Sequence, residues 1–398
     1  MKRRAFPWMI LLVLAAAALA LTGISALRGD IFSPQAQWAA EEPMQPPVVY
    51  PAQLRRAGQL RYHYGNLNPE EQAACDDIYA RALCFPESIR LDLELESLNR
   101  VFHALTMDQP LLFHISSAYF NYTTDPRTGR VTAFLPDYLL AREEYEARCQ
   151  ALARAVETFT VPAGGEQFGC ELALHDQLIR RCAYAEDITP PEKSTAYGAL
   201  VEGSASCEGY ARAMQLLLDL QGIDCYIVTG EATNSEGKTE RHAWNKVRID
   251  GAWYQLDPTW NDPVNQDGGH VTSHAYFNLS DGEIGQTHEL TDLNNPCAST
   301  AANYFVRKGL LFGSLDRAAE ELLTTALRDA FAAGDNAVEL RFTDEAAMKA
   351  GQRYLFEKQN IYRVLNNAAL GGAPIKTEQV EYMPLAALRI IKILPLKK

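Results

Sequence analysis

The chain has 398 residues, too many for one ordinary hydrophobic core, which predicts two or three domains. Its 47% apolar and 22% charged residues are typical of a globular protein and argue against disorder. The formal net charge of −13 argues against a nucleic-acid partner, because phosphate binding needs a basic surface. The sequence has no glycine-rich turn of the dinucleotide or Walker type, so we expect no cofactor.

The first 27 residues predict an export segment. Basic residues at positions 2–4 precede an apolar run that extends from residue 5 to about residue 24. This run predicts either a signal peptide, cleaved near Ala18-Leu19-Ala20, or an uncleaved membrane anchor formed by residues 5–24. Both alternatives place the bulk of the chain outside the cytoplasm by the positive-inside rule. We therefore expect an extracytoplasmic protein, either anchored to a membrane or secreted.

Residues 28–60 predict a flexible linker, since Pro, Ala and Gln recur there without periodicity. Residues 61–160 predict a helical accessory region, whose first helix is capped by Asn68, has Pro69 at its first position and ends near Leu83. The rest of the region comprises a helix from about Leu93 to Leu105, a ribbon of Leu111 to Tyr122 paired with Val131 to Leu135, and a helix from about Leu139 to Thr158. A further helix is predicted from Glu166 to Tyr184; its His175 is either a supporting residue of a site or, as we expect, a hydrogen-bonded helix histidine.

Cys207 lies at the predicted start of the next helix. A small polar turn, Gly203-Ser204-Ala205-Ser206, precedes it, and apolar residues then recur at helical spacing until Gly222. Unpaired backbone N–H groups and the positive end of the helix dipole stabilise an anion at this position, which suits a nucleophilic thiolate better than a buried structural thiol. Glu208 in the same turn opposes a thiolate, so we expect His242 to supply the activation.

His242 and Asp257 are predicted to lie on neighbouring strands. An alternating run around His242 predicts a strand, Gly251 turns the chain back, and Trp253 to Pro258 predicts the return strand with Asp257 at its end. A cysteine at a helix start, a histidine on a strand and an acid on the next strand supply a nucleophile, a base and a group that fixes the tautomer of the base.

At these residues the sequence resembles the transglutaminase-like superfamily. The segments that carry the resemblance are Cys207-Glu208-Gly209-Tyr210-Ala211, His242-Ala243-Trp244-Asn245 and Tyr254-Gln255-Leu256-Asp257-Pro258-Thr259-Trp260. The resemblance covers roughly Glu171 to Leu290 and implies a papain-like core with the catalytic order Cys207, His242, Asp257. We therefore expect an α+β fold: a papain-like transglutaminase core at residues 161–295, the N-terminal helical accessory region and a small C-terminal α/β domain. The superfamily includes crosslinking enzymes, peptidases, amidases and proteins that have lost activity.

Residues around the predicted triad are candidates for oxyanion or substrate contacts. The Cys207 backbone N–H is the natural oxyanion donor, and we expect a second donor upstream, from Tyr197 or from a backbone group near Ser194. Trp244 and Trp260 are expected to form wall and core, and an aromatic-lined slot would suit a side-chain amide.

The remaining cysteines and histidines predict neither a disulfide framework nor a metal site. With Cys207 as nucleophile, seven of the eight cysteines remain, so at least one more is free or pairs between chains. Cys75 and Cys84 are the best candidates for a pair, but we expect mostly reduced, buried thiols. His270 and His274, with His288 nearby, lack a His-Glu-x-x-His pattern, and Gly268-Gly269 predicts a loop, so we expect no metal.

Residues 296–398 alternate between short strands and helices, and no chemistry is assigned to them. The predicted elements are a strand from Asn303 to Phe312, a helix from Leu315 to Ala333, a strand from Ala337 to Phe342, helices from Asp344 to Lys358 and Ile361 to Leu370, and strands from Val380 to Tyr382 and Ala387 to Leu394.

These observations predict a thiol-dependent enzyme that forms a thioester from an amide in a peptide, a glutamine side chain or a cell wall. Water or an amine would resolve the thioester, and hydrolysis is favoured because water is the default acceptor outside the cell. The expected partner is a protein or peptide substrate, including cell-wall peptide. The alternative is a noncatalytic module that binds peptide or cell wall in the same groove, and an intact triad argues against it.

Overall fold

The computed structural model describes residues 45–56, 58–262, 272–332, 334–335 and 337–397. The predicted export segment, most of the predicted linker and His270 lie outside these ranges. Within them, no helix has both the length and the apolar character needed to cross a bilayer.

Helices and strands alternate along the described chain. The helices are α1 Tyr62–Gly65, α2 Pro69–Ala82, α3 Leu95–Asp108, α4 Arg142–Glu157, α5 Gln167–Arg181, α6 Cys207–Leu220, α7 Asp281–Ile284, α8 Tyr304–Arg307, α9 Arg317–Ala332, α10 Glu345–Gln352 and α11 Asn360–Leu370. The strands are β1 Ile89–Leu93, β2 Asn121–Thr124, β3 Val131–Leu135, β4 Ala183–Tyr184, β5 Ser204–Ala205, β6 Cys225–Thr233, β7 Thr239–Ile249, β8 Ala252–Leu256, β9 Leu311–Phe312, β10 Val338–Phe342, β11 Ile375–Leu385 and β12 Ile390–Lys397.

The strands form separate small sheets along the chain. The N-terminal part carries a sheet of order β1-β3-β2, the middle part carries antiparallel β6-β7-β8 and a short parallel pair β4-β5, and the C-terminal part carries β11-β12-β10-β9. Only the last of these sheets mixes antiparallel pairs with a parallel one, between β9 and β10. Packing also crosses between these parts, because α3 of the N-terminal part contacts β6 of the middle sheet, and α4 shares a hydrophobic core with α6.

Helix α6 is the centre of the middle part. Every residue from Gly209 to Asp219 is buried, which is the signature of a helix surrounded by protein on all sides. It packs against β6 and β7 on one side and against α5 and the short 3₁₀ turn Pro191–Ser194 on the other. A Cβ at Gly209 would lie 2.4 Å from the Lys193 carbonyl oxygen, so glycine is needed where this turn crosses the helix start.

The β7-β8 hairpin forms as the sequence predicts. Asp250 and Gly251 both have positive φ, 51° and 84°, as a two-residue type I′ turn requires. The register pairs Asn245 with Leu256 and Ile249 with Ala252. The end of β8 therefore returns beside the middle of β7, and Asp257 follows directly.

The N-terminal part confirms the predicted capping of α2. The Asn68 side chain accepts from the Glu71 N–H at 3.0 Å, and the Glu71 carboxylate accepts from the Asn68 N–H at 3.1 Å. The predicted strand from Leu111 to Tyr122 is wrong over most of its length, because the strand is confined to β2. Residues 111–116 are buried without a ladder, and their aromatic side chains pack into the core.

Residues 48–56 also differ from the prediction, which assigned them to the flexible linker. Leu54 is 1% exposed, and the Val48 N–H donates to the Leu83 carbonyl oxygen at 2.9 Å. Arg56 forms an ion pair with Asp219 in which both side chains are buried. This segment is therefore packed against the body of the protein.

Three further predictions of secondary structure are corrected. The expected strand from Asn303 to Phe312 is helix α8 followed by the two residues of β9; Asn303 caps the helix by accepting from the Phe305 N–H at 3.1 Å. The helix expected from Glu166 to Tyr184 ends at Arg181, because Ala183 and Tyr184 pair in parallel with Ser204 and Ala205. The helix expected from Asp344 to Lys358 changes after Gln352 into a π turn at Arg353–Glu357.

Candidate active site

Cys207 is the first residue of α6, where the chain turns from β5 into the helix. Its side chain is half-buried and packs against a small buried cluster of Ala211, Ile227 and Ala243, as does Met107 at the end of α3. The preceding residue, Ser206, donates its N–H to the Lys193 carbonyl oxygen at 2.8 Å. The structure therefore presents the thiol at a helix N-terminus with its backbone held firmly on the upstream side.

His242 lies between Cys207 and Asp257. Its Nε2 is 2.9 Å from Asp257 Oδ2, and the ring lies close enough to the Cys207 side chain for the sulfur to help raise the pKa of His242. Since Nε2 faces the carboxylate, Nδ1 is the nitrogen left to face the sulfur. The structure thus brings the three predicted residues together in the predicted order of contact.

The charge balance of this group favours a protonated imidazole. Burial lowers the pKa of His242, but the Asp257 charge and hydrogen bond, with a further contribution from Cys207, overcome it and raise the pKa to about 10. Burial raises the pKa of Asp257, but the charge and hydrogen bond of His242 and the hydrogen bond of His288 outweigh it and hold the pKa well below its usual range. At neutral pH the pair is a carboxylate and an imidazolium.

Four donors surround the Asp257 carboxylate, which is fully buried. Oδ2 accepts from His242 and from His288 Nε2 at 3.1 Å. Oδ1 accepts from the backbone N–H groups of Thr259 at 2.9 Å and Trp260 at 3.2 Å. Because a buried carboxylate is costly unless its lone pairs are used, these donors explain how an ionised Asp257 is tolerated.

His288 is a residue of this site that the sequence analysis did not assign. Its Nδ1 is 2.9 Å from Thr287 Oγ1, and its ring lies 4.5 Å from the Trp260 ring, measured between centroids. The segment around it runs beside β6: the Glu289 N–H donates to the Glu231 carbonyl oxygen at 2.8 Å. A Cβ at Gly230 would lie 2.8 Å from the Glu289 carbonyl oxygen, so this glycine is the sequence signal for the close approach.

The charge of Glu208, expected to oppose a thiolate, is offset by a neighbour. Arg212, one turn along α6, donates from Nη2 to Glu208 Oε1 at 2.5 Å. The Arg212 guanidinium is itself buried and donates from Nη1 to the Thr106 carbonyl oxygen at the end of α3. The arginine therefore compensates Glu208 and ties the helix of Cys207 to the N-terminal part.

The aromatic candidates have different surroundings. Trp244 is fully buried and donates from Nε1 to Gln255 Oε1 at 2.7 Å, so it forms core behind His242 and is not placed to contact a substrate. Trp260 is half-buried, and its ring lies 5.5 Å from the His242 ring, measured between centroids. Tyr197 stacks on Phe113 and lies under the Arg148 guanidinium, 4.9 Å from the ring centroid.

Tyr184 is a second residue that the sequence analysis missed, because it was assigned to a helix. On β4 it pairs with Ala205, two residues before Cys207. Burial raises the pKa of Tyr184, and the charges of Cys207, Glu240 and Asp257 raise it further. Its phenol is therefore within electrostatic range of Cys207 and keeps its proton.

Hydrogen bonds hold the turn after Asp257. The Asn261 amide oxygen accepts from the Tyr276 N–H at 2.8 Å, which directs its Nδ2 to donate to His175 Nε2 at 2.9 Å. His175 Nδ1–H then donates to Asp176 Oδ1 at 3.0 Å. His175 is thus the hydrogen-bonded helix histidine that was expected, and it also supports the turn through Asn261.

Among the residues that the structure describes, two groups of side chains have ligand-type atoms within 4.8 Å of one another, as a metal site would need: His175, Asp176 and His274, and His242, Asp257 and His288. In the first group, His274 Nε2 is 2.8 Å from the Asp176 oxygen that also accepts from His175. In the second, one Asp257 oxygen serves both histidines. Hydrogen bonds account for the close spacing in each group, and we assign no metal.

All eight cysteines have free thiols in the structure, so Cys75 and Cys84 are not paired. Six of the thiols are buried, and only Cys170 and Cys207 are partly exposed. The burial of these six thiols agrees with the expectation of mostly buried cysteines. It also leaves Cys170 as a natural internal reference for the reactivity of Cys207.

Comparison with known proteins gives a match in the same part of the chain. Residues 156–258 match the family model of the transglutaminase-like superfamily. The human Kyphoscoliosis peptidase is 32% identical over 62 residues, 14% of this chain and 9% of that protein.

Two solved structures are similar in part. One, described as a TGase, is 16% identical with a TM-score of 0.27 and covers 45% of this chain and 52% of its own. The other, the periplasmic domain of TgpA from Pseudomonas aeruginosa, is 21% identical with a TM-score of 0.22 and covers 33% of this chain and 56% of its own. The chain thus spans between a tenth and little more than half of the length of these proteins. Residues 156–258 are therefore similar to the transglutaminase-like superfamily, and the described chain has the mixed helix and sheet fold that was expected.

Proposed function

We propose that this protein is a thiol-dependent enzyme that forms a thioester from an amide of a peptide, a glutamine side chain or a cell wall. The observation that carries the proposal is the position of His242, between the Cys207 thiol and the buried Asp257 carboxylate. The family match supports an enzyme of this kind but leaves the reaction open.

In the first half of the reaction, Cys207 acts as nucleophile. The thiol proton already resides on His242, so the Cys207 thiolate attacks the amide carbon and forms the C–S bond while the C=O π pair moves onto oxygen. Collapse of this intermediate breaks the C–N bond, and the His242 imidazolium gives its proton to the departing nitrogen. The products are a thioester on Cys207 and ammonia or an amine.

Two donors are proposed for the oxyanion. The Cys207 backbone N–H lies at the helix start, where no intrahelical acceptor uses it. Tyr184 replaces Tyr197 as the second donor, because its phenol is near Cys207 and its raised pKa keeps the O–H at working pH. Tyr184→Phe should lower the rate of acyl transfer about tenfold to a hundredfold and leave alkylation of Cys207 by iodoacetamide unchanged. Equal rates of acyl transfer would remove Tyr184 from the mechanism.

In the second half, water or an amine attacks the thioester. His242 takes the proton of the attacking group, and the C–S bond breaks to restore the thiolate. Asp257 holds Nε2–H throughout, so that Nδ1 is the atom that receives and returns protons. His288 acts as a positioning residue through Asp257, since it holds the same oxygen that faces His242.

Reactivity of Cys207 tests the enzyme hypothesis directly. We expect iodoacetamide at neutral pH to label Cys207 much faster than the partly exposed Cys170, and His242→Ala to remove the difference, with sites assigned by peptide mass spectrometry. Labelling that continues at the same rate in His242→Ala would contradict the proposal.

Mass spectrometry of peptides and cell-wall fragments incubated with the protein identifies the reaction. A mass change that is absent with Cys207→Ala names it as deamidation, cleavage or crosslinking. Binding of the same peptides without any mass change, equal in both proteins, would instead support a noncatalytic binding module.

We also propose that the protein acts outside the cytoplasm, either anchored by residues 5–24 or secreted after cleavage. The support is the basic start and apolar run of the sequence. Protease added to intact cells should degrade the anchored protein, or the medium should contain the secreted one. Protection from protease in intact cells, with none in the medium, would refute this location.

A further inference from the structure

A cavity of about 390 Å³ opens beside Cys207. Its walls come from residues between 106 and 119 and Leu139 of the N-terminal part, from residues between 188 and 195, and from the first turns of α6. Glu208, which directly follows Cys207, lines the cavity, as does Thr106 near the end of α3. The next residue, Met107, packs against the same buried cluster as Cys207. The cavity therefore adjoins the thiol, and a part of the chain outside the matched segment supplies one of its walls.

Gln109 lines this cavity with an unused amide. The residue is 7% exposed, and its backbone groups are occupied: its N–H donates to the Leu105 carbonyl oxygen, and its carbonyl oxygen accepts from the Leu112 N–H. Its side chain has no hydrogen-bond partner within the described part of the chain. An amide that lines a cavity and has no protein partner is free to pair with a bound group that offers one donor and one acceptor.

The lining carries no uncompensated charge. Glu208 and Arg212 are the charged residues in it, and they pair with each other at 2.5 Å. The rest of the lining mixes apolar side chains such as Phe113 and Ile188 with hydroxyls such as Ser117. A charged side chain entering this cavity would lose water without gaining a free partner.

We propose that this cavity binds an uncharged peptide segment next to the amide that Cys207 attacks, with the Gln109 amide paired to a peptide group of that segment. The inference rests on the proposed function of Cys207. The volume lies within the range of about 300–1,000 Å³ that is usual for ligand sites, and is enough for one or two residues.

Covalent peptide probes test the assignment. N-acetyl-dipeptidyl vinyl sulfones with leucine, serine, lysine or glutamate next to the reactive group are compared by kinact/KI at Cys207, measured by mass spectrometry of the full chain. We expect the leucine and serine probes to react at least about tenfold faster than the lysine and glutamate probes. Gln109→Ala should slow the uncharged probes about five- to tenfold, and Ser117→Phe, which fills the cavity, should slow them further.

Iodoacetamide, which is too small to need the cavity, is the reference for both variants. It should label Cys207 at the wild-type rate in Gln109→Ala and Ser117→Phe, which shows that the site is intact. Gln221→Ala, at the exposed far end of α6, is the matched control and should leave all rates unchanged.

Two outcomes overturn the inference in distinguishable ways. Vinyl sulfones that react equally whatever their side chain, and equally in Gln109→Ala, overturn the role of the cavity while the normal iodoacetamide reaction preserves the proposed function. A Cys207 that reacts with iodoacetamide no faster than Cys170 overturns the proposed function, and the assignment of the cavity with it.

Discussion

Replacing Asp257 by asparagine should change the charge of His242 at neutral pH. The pKa of His242 is about 10 in the folded protein, against an ordinary value of about 6.5. Burial opposes this increase, so the charge and hydrogen bond of Asp257 supply most of it. At about 1.36 kcal/mol per pKa unit, the difference corresponds to a preference of about 5 kcal/mol for the protonated ring. In Asp257→Asn we therefore expect the pKa of His242 to fall to near or below 6.5.

Hydrogen–deuterium exchange at the histidine C2 position, resolved by peptide mass spectrometry, measures this value for each ring. His114 is the internal control: it is buried far along the chain beside the Ala82 carbonyl, and burial lowers its pKa to about 4. Its exchange profile should be the same in both proteins. A His242 midpoint that stays above about 8 in Asp257→Asn would refute the assignment of Asp257 as the residue that holds the imidazolium.

The same substitution should alter the pH dependence of stability. A histidine whose pKa is raised by folding contributes stability that is complete below about pH 6.5 and is lost as the pH rises through about 10. Wild type should therefore lose unfolding free energy between pH 7 and pH 10 through this residue, and Asp257→Asn should lose less of it over that interval. Chemical denaturation at several pH values compares the two proteins.

Three other substitutions have expected outcomes. His288→Ala should slow acyl transfer about tenfold to a hundredfold and move the acid limb of the pH–rate profile to higher pH, because Asp257 loses one donor. His288→Gln, which keeps an N–H, should restore most of the rate. Equal pH–rate profiles for His288→Ala and wild type would exclude a positioning role. Gly209→Ala should lower the free energy of unfolding by about 1–3 kcal/mol, because the added Cβ would lie 2.4 Å from a backbone oxygen, and Gly282→Ala, which meets open space, is the control that should cost much less. Arg56→Ala should destabilise the protein by about 3–5 kcal/mol at pH 8 and by less at pH 5. Burial raises the pKa of Asp219 to about 7, against the opposing effect of Arg56, so at pH 5 the unpaired acid can take up a proton. Equal losses of stability at both pH values would contradict this.

Local signals in the sequence were sufficient for the elements that carry Cys207, His242 and Asp257. The Asp250-Gly251 turn, the cap at Asn68 and the helical period after Cys207 each depend on residues close together in the chain, so each could be predicted. The family resemblance then predicted that Cys207, His242 and Asp257 lie together in space. The structure brings these three residues together in that way.

The residues that were missed depend on contacts distant in sequence. His288 reaches Asp257 because its segment runs along β6, more than fifty residues earlier, and Gly230 leaves room for it. The sequence predicts a helix at Tyr184, because no residue close to it in the chain indicates that it pairs with β5. The aromatic run from Leu111 to Tyr122 alternates as a strand would, yet burial of nearly all its residues from 111 to 116 replaces the ladder with side-chain packing.

Two contacts anchor α6 to the N-terminal part: the Arg56–Asp219 ion pair and the hydrogen bond from Arg212 to the Thr106 carbonyl oxygen. They have a consequence for the order in which the protein is synthesised. Arg56 holds one end of the helix and the Thr106 carbonyl receives Arg212 near the other, and both partners leave the ribosome before Cys207 does. The residues that hold α6 in place are therefore synthesised before the helix itself. If residues 156–258 were expressed alone, Asp219 and Arg212 would lack these partners. The segment that matches the family model is therefore not expected to be an active enzyme by itself.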